Sequence, residues 1–203
     1  MFRYLPNLLS FLRLFLVLPI SWSLLSNNVL LALSLFLVAG VTDALDGRLA
    51  RKFRWETNLG SVIDPLADKV LVAGIVLVFT YQGHIPVWLA AIALGRDGLI
   101  LVGAAVYRAI LGPFEVQPSL VSKANTALQI VTLVLLLLFI VIESRSLEFL
   151  NLGKQHKFTE ALASVLDPYV FGLSALLSIC SGVHYLYIWL PRLLVATHAG
   201  NSK

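Results

Sequence analysis

Charge is scarce in this sequence. Only 13% of its 203 residues are Asp, Glu, Lys or Arg, against 59% hydrophobic, whereas an ordinary soluble domain is about 25% charged. With so little polar surface to present to water, a soluble globular domain is excluded. Cysteine is almost missing too. Cys180 stands alone inside an apolar run, which excludes an intramolecular disulfide and a cysteine-based zinc site; it is expected to be a small buried hydrophobe. The four histidines, at 84, 156, 184 and 198, have no ligand spacing. Internal repeats, low-complexity tracts and long linkers are lacking as well, so one domain spanning 1–203 is expected.

What the chain does have is long apolar runs. A helix needs about 20 apolar residues to cross the hydrocarbon of a bilayer, and six runs approach or reach that length: Leu8 to Ser26, Val29 to Ala44, Leu59 to Tyr81, Ile85 to Tyr107, Ala124 to Ile142 and Tyr169 to Leu190. The second is short, but it can continue as helix to near Arg51. The fold class expected is therefore all-α, an integral membrane bundle of six transmembrane helices. Arg13 interrupts the first run, and SWSLLSNN after it offers no small-residue cleavage site, so that run reads as a retained helix rather than a signal peptide. An amphipathic stretch, Phe158 to Leu166, is expected along the interface before the last span.

The formal net charge is +4. The basic residues fall in short loops between apolar runs, which points to membrane orientation rather than to nucleic acid. Arg3, Arg13, Arg48, Arg51, Lys52, Arg54, Arg108, Lys123, Arg192 and Lys203 share one side, leaving Arg145, Lys154 and Lys157 on the other; both termini are expected in the cytoplasm. Trp22, Trp88 and Trp189 near span ends fit an interfacial belt. No Arg-rich, Ser-rich segment precedes the first span, which favours a bacterial inner membrane over a mitochondrial one.

Five acids stand where a bilayer makes them costly: Asp43, Asp46, Asp64, Asp68 and Asp97. Asp43 and Asp46 are three residues apart and Asp64 and Asp68 four, so each pair shares a helix face. The two helices are joined by a short basic loop and run antiparallel. Asp43 lies eight residues before Arg51, and Asp68 eight after Gly60; at ~1.5 Å rise per residue, both sit ~12 Å from the loop. Four carboxylates at one depth repel one another and need cations among them. Hard oxygen donors without Cys or His select Mg²⁺, Mn²⁺ or Ca²⁺ over zinc, and a two-metal cluster at Asp43, Asp46, Asp64 and Asp68 suits the attacking and leaving oxygens of a phosphoryl displacement. Gly47, Ala50 and Gly60 remove bulk beside the acids, leaving room for a nucleotide between helices. Lys69 reads equally as a charge partner of the cluster or as a side chain reaching past it.

The run Asp43-x2-Asp46-Gly47-x2-Ala50-Arg51-x8-Gly60-x3-Asp64-x3-Asp68 resembles, with no position missing, the signature of the CDP-alcohol phosphotransferase family. The resemblance implies a six-helix membrane fold, commonly dimeric, that holds two divalent ions, Mg²⁺ or Mn²⁺, on the four acids. It further implies that a cytidine diphosphate lies over Asp46, Gly47, Ala50, Arg51, Gly60 and Asp64, and that Asp68 is the catalytic base. LPNLLSFLR, with Asn7 and Arg13, resembles the opening of two branches of the family. Asn7 is expected either to contact the nucleotide or to cap the first helix. GRDGLILVGAAVYR and SLVSKANTALQ resemble more closely the branch that joins CDP-diacylglycerol to phosphatidylglycerol. The branch that uses glycerol 3-phosphate usually carries a second lysine where this chain has Asn125. Arg96, Arg108 and Lys123 are the expected anchors of the acceptor phosphate, guanidinium and ammonium groups being suited to that role. For Arg96 an ion pair with Asp97 is the competing reading, and for Arg108 and Lys123 ordinary flanking charge. A transporter or channel lined by the acids would instead spread them through the bilayer.

Overall fold

The computed structural model describes residues 5–53, 60–111, 119–143 and 169–200, with side chains described at 8–44, 66–107, 119–142 and 169–188. The basic loop and the amphipathic stretch expected at Phe158 to Leu166 lie outside the described residues. Among them the regular elements are all α-helices: α1 (Leu5–Leu25), α2 (Val29–Phe53), α3 (Gly60–Tyr81), α4 (Val87–Leu111), α5 (Leu120–Glu143) and α6 (Phe171–Gly200). A helix lies over each of the six apolar runs. The largest departure is α6, which continues to Gly200, past the expected end at Leu190; Pro191 lies inside it. Among the described residues four segments are long and apolar enough to cross a membrane, Leu8–Leu25, Val87–Tyr107, Leu120–Ile142 and Phe171–Ile188, and Val29–Ala44 is a shorter apolar helix.

The helix ends are written in the local sequence. Asn27 has φ +57°, and the amides of Asn27 and Asn28 bond the carbonyls of Leu24 and Ser23, the paired bonds of a left-handed helix stop. Asn28 then accepts the Leu31 amide on its side-chain oxygen at 3.4 Å, so adjacent asparagines end α1 and open α2. Gly83, at φ +81°, ends α3 the same way, with its amide on Thr80 and that of His84 on Phe79. At the start of α5 the Ser119 hydroxyl accepts the Ser122 amide at 3.2 Å.

The chain divides into two compact units, Met1–Ile85 with Leu133–Leu162, and Pro86–Thr132 with Ala163–Lys203. In the first unit α1 packs on both α2 and α3. The contacts between α1 and α3 keep a parallel register: Arg13 meets Asp68, Val17 and Ser21 meet Gly74, and the Gln82 amide donates to the Leu24 carbonyl at 2.8 Å. Gly74 permits that approach, because a Cβ there would stand 2.8 Å from a Val17 methyl. Ile20 and Leu24 on α1 and Ile75 and Phe79 on α3 are almost wholly buried.

Exposure on α1 is patterned for lipid. Leu8, Phe11, Leu12, Phe15, Leu18, Trp22 and Leu25 form the exposed stripe, whereas the buried face carries Ser10, Arg13 and Ser23 beside Ile20 and Leu24. An apolar outside and a partly polar inside is the pattern of a helix in hydrocarbon, where burying apolar groups gains little and small or polar contacts hold helices together. Trp22 and Trp88 are exposed near span ends, as a belt requires; the Trp189 side chain lies outside the described residues. Cys180 corrects the expectation: it is exposed, on the α6 side that also presents Leu176, Ile179 and Val183. The buried side of that turn is taken by Ser178 and Ser181, which have bonding partners to reach.

Candidate active site

The site in the first unit begins with one arginine. Arg13 is 2% exposed, and its guanidinium forks between two helices: Nη2 meets Oδ1 of Asp43 on α2 at 2.5 Å, and Nη1 meets Oδ1 of Asp68 on α3. The first and last acids of the motif are thereby held against a common cation, as the antiparallel arrangement of α2 and α3 predicts. Both carboxylates stay about half exposed, 45% for Asp43 and 47% for Asp68, so the cluster opens to one side while the arginine closes the other. Thr42 beside Asp43 turns its hydroxyl back to the carbonyls of Val38 and Ala39, and the polar content of that turn is internally spent.

The rest of the motif follows from helix position. Asp46, Gly47, Ala50 and Arg51 continue α2 beyond Asp43, and Gly60 and Asp64 lie on α3 ahead of Asp68. Their side chains, like those of Asn7 and Arg108, lie outside the described residues. Lys69 is partly buried next to Asp68. Half-exposed carboxylates from two helices, all oxygen and with neither thiolate nor imidazole among them, form a donor set that fits a hard divalent cation.

A second polar cluster lies in the unit formed by 86–132 and 163–203. Arg96 is buried on α4, and its guanidinium is engaged all round: Nη1 meets Asp97 at 2.6 Å, Nε and Nη2 donate to the Ser181 hydroxyl on α6 at 3.1 and 2.7 Å, and Nη2 also reaches the Ser122 hydroxyl on α5. The ion pair with Asp97 that competed with the phosphate role is therefore formed. A Cβ placed on Gly182 would stand 3.8 Å from Arg96 Cγ, an ordinary contact distance. One turn away Ser178 donates to the Asn125 side-chain oxygen at 3.0 Å, both residues buried. Lys123 is exposed beside Ser122 in the first turn of α5.

Sequence reasoning did not foresee Arg13 as the partner of the acids; its signal was a lone cation inside an apolar run. It also passed over Ser122, Ser178 and Ser181, whose signal was hydroxyls recurring at helical spacing within apolar helices.

Over residues 3–166 the sequence matches the CDP-alcohol phosphatidyltransferase family. The chain belongs to that family. Among relatives of this chain, a probable cardiolipin synthase (CMP-forming) of Drosophila melanogaster is 33% identical over 144 residues, 63% of this chain and 45% of that one. A cardiolipin synthase (CMP-forming) of Rattus norvegicus is 34% identical over 142 residues, 62% of this chain and 47% of the relative. A CDP-diacylglycerol--glycerol-3-phosphate 3-phosphatidyltransferase of Pseudomonas fluorescens is 36% identical over 145 residues, 65% of this chain and 71% of the relative. The match thus spans less than half of the Drosophila and rat proteins. The family match over residues 3–166 includes the whole acid motif and parts of both compact units, and the identities do not separate the two acceptor types.

Proposed function

We propose that this chain transfers the phosphatidyl group of CDP-diacylglycerol to phosphatidylglycerol, forming cardiolipin and releasing CMP, as a multi-pass protein with both termini in the cytoplasm of a bacterial cell. The observation that carries the reading is the meeting of Asp43 and Asp68 at Arg13, which draws the ends of the acid motif together. Asp43, Asp46, Asp64 and Asp68 would hold two divalent ions, Mg²⁺ or Mn²⁺. When bound, these supply charge for the diphosphate and for the oxygens entering and leaving phosphorus.

The protein's own part is positioning and proton transfer. Gly47, Ala50 and Gly60 leave room for the cytidine nucleotide between α2 and α3, with Asn7 and Arg51 as further contacts. Asp68 accepts the proton of the acceptor hydroxyl. That oxygen bonds to the phosphorus carrying diacylglycerol, and the bond from this phosphorus to the bridging oxygen breaks, leaving its electron pair on CMP. Arg51 offsets charge on the departing phosphate.

For the acceptor, Lys123, Arg108 and Arg96 are assigned to the phosphodiester of phosphatidylglycerol. Lys123 stands exposed at the capped N-terminus of α5, where helix amides also favour an anion. Arg96 is tied to the same turn through Ser122, so it steadies that turn and needs a partner exchange to touch the phosphate itself. Asn125, buried on Ser178, favours phosphatidylglycerol, since the branch using glycerol 3-phosphate usually has lysine there. The identity to the Pseudomonas protein favours glycerol 3-phosphate as the second reading. Assaying the purified chain with CDP-diacylglycerol and each acceptor in turn decides between them. Faster CMP release with phosphatidylglycerol is expected, and turnover confined to glycerol 3-phosphate would overturn the assignment. Association as a homodimer belongs to the same proposal, and cross-linking in native membranes tests it.

A further inference from the structure

Arg13 has no assigned part in the chemistry above, yet it is buried and forks between the first and last acids of the motif. It takes Oδ1 of each carboxylate, the kind of lone pair a cation would use, from the closed side of the cluster. The helix that carries it is firmly seated, with Val17 against Gly74 and the Gln82 amide on the Leu24 carbonyl. Any retreat of the charge must therefore come from rotation within the long arginine side chain rather than from movement of α1. Positive ions entering among Asp43, Asp46, Asp64 and Asp68 would meet the guanidinium at contact range, where like charges repel strongly.

We propose that Arg13 is the resident counter-cation of the acid quartet: it neutralises Asp43 and Asp68 when no divalent ion is bound, and the ions load by displacing it from at least one of them. This rests on the metal-binding reading above. Metal loading is then an exchange, with Arg13 a positioning residue that holds Asp43 and Asp68 adjacent until the ions arrive. Its replacement weakens the metal-free protein while removing a competitor for the same oxygens, so the stabilisation gained from metal grows.

The test is thermal unfolding of the full chain in lipid nanodiscs, in EDTA and across a Mn²⁺ titration, for the parent, Arg13→Gln and Arg13→Lys. In the parent Mn²⁺ must raise the midpoint; if it does not, the metal reading itself fails, independently of Arg13. Given that rise, Arg13→Gln is expected to unfold earlier in EDTA and to show a Mn²⁺ increment larger than the parent's by at least ~3 °C. The Mn²⁺ concentration giving half the effect should fall about tenfold. Arg13→Lys, whose ammonium cannot fork, is expected to fall between the two. A variant recoverable only with Mn²⁺ present is the limiting form of the expected result. An increment equal to or smaller than the parent's, a weakened Mn²⁺ response, or a variant as unstable with Mn²⁺ as without it overturns the proposal.

Discussion

The Ser178 hydroxyl donates to the side-chain oxygen of Asn125 at 3.0 Å, between α6 and α5, with both residues buried. Under the proposed acceptor assignment this bond bears on specificity, because the glycerol 3-phosphate branch usually places lysine at this position. Asn125→Lys brings a cation into the turn that carries Lys123 and leaves the Ser178 hydroxyl without its acceptor. The expected outcome is a shift of acceptor preference toward glycerol 3-phosphate by about tenfold, equivalent to ~1.4 kcal/mol. The ratio of CMP release rates with the two acceptors measures it, and an unchanged ratio removes Asn125 from the specificity argument.

Arg96 and Asp97 form a buried pair at 2.6 Å that joins α4 to hydroxyls on α5 and α6. Breaking it from one side strands a charge, at a cost of roughly 3–5 kcal/mol. Arg96→Leu and Asp97→Leu are each expected to lower the unfolding midpoint sharply, and the double variant is expected to be milder than either. Arg96→Lys should rescue only in part, because an ammonium cannot reach Ser122, Ser181 and Asp97 together in the planar fork that arginine offers. Additive losses in the double variant would show that the two residues act separately.

Gly74 sets how closely α3 can approach α1, the distance across which Arg13 reaches Asp68. A Cβ at Gly74 would lie 2.8 Å from the Val17 methyl, so Gly74→Ala overpacks the contact at roughly 1–3 kcal/mol. Adding Val17→Ala makes room and is expected to restore most of the lost stability. Thermal unfolding of the two single variants and the double checks this; no recovery in the double would mean the loss does not arise at that contact.

How much of this was legible in the sequence differs between its two parts. Helix positions were, because twenty-residue apolar runs have few other uses and because Asn27, Asn28, Gly83 and Ser119 carry the chemistry of stops and starts. The pairing of Asp43 with Asp68 was legible as well, from equal spacing to a shared loop. What periodicity could not supply was the partner. Arg13 lies 55 residues from Asp68, and its depth on α1 makes it look like any cation interrupting a span until parallel packing places it on the acids. The exposure of Cys180 was illegible for a related reason: in a lipid-facing helix, apolar character does not tell inside from outside. Arg96 was found by its charge alone, and only the serines around it reveal how fully its donors are engaged.

Asp68 is assigned the proton transfer as well as a share of the cation site, and Asp43 a place in the cation site alone, so the two replacements predict different failures. Asp68→Asn is expected to keep CDP-diacylglycerol binding within a fewfold while turnover drops by about 10²–10⁴, the range for loss of a general base. Asp43→Asn is expected to weaken the response to Mn²⁺ together with turnover. Full activity in Asp68→Asn would remove the base assignment and leave the cation site standing.

The most direct measurement follows CMP released by the purified full chain from CDP-diacylglycerol and phosphatidylglycerol, before chelation, after exhaustive chelation, and after Mn²⁺ is restored. An acid quartet that works through paired divalent ions predicts collapse of CMP release on chelation and its return with Mn²⁺. Undiminished CMP release after the ions are gone would contradict it.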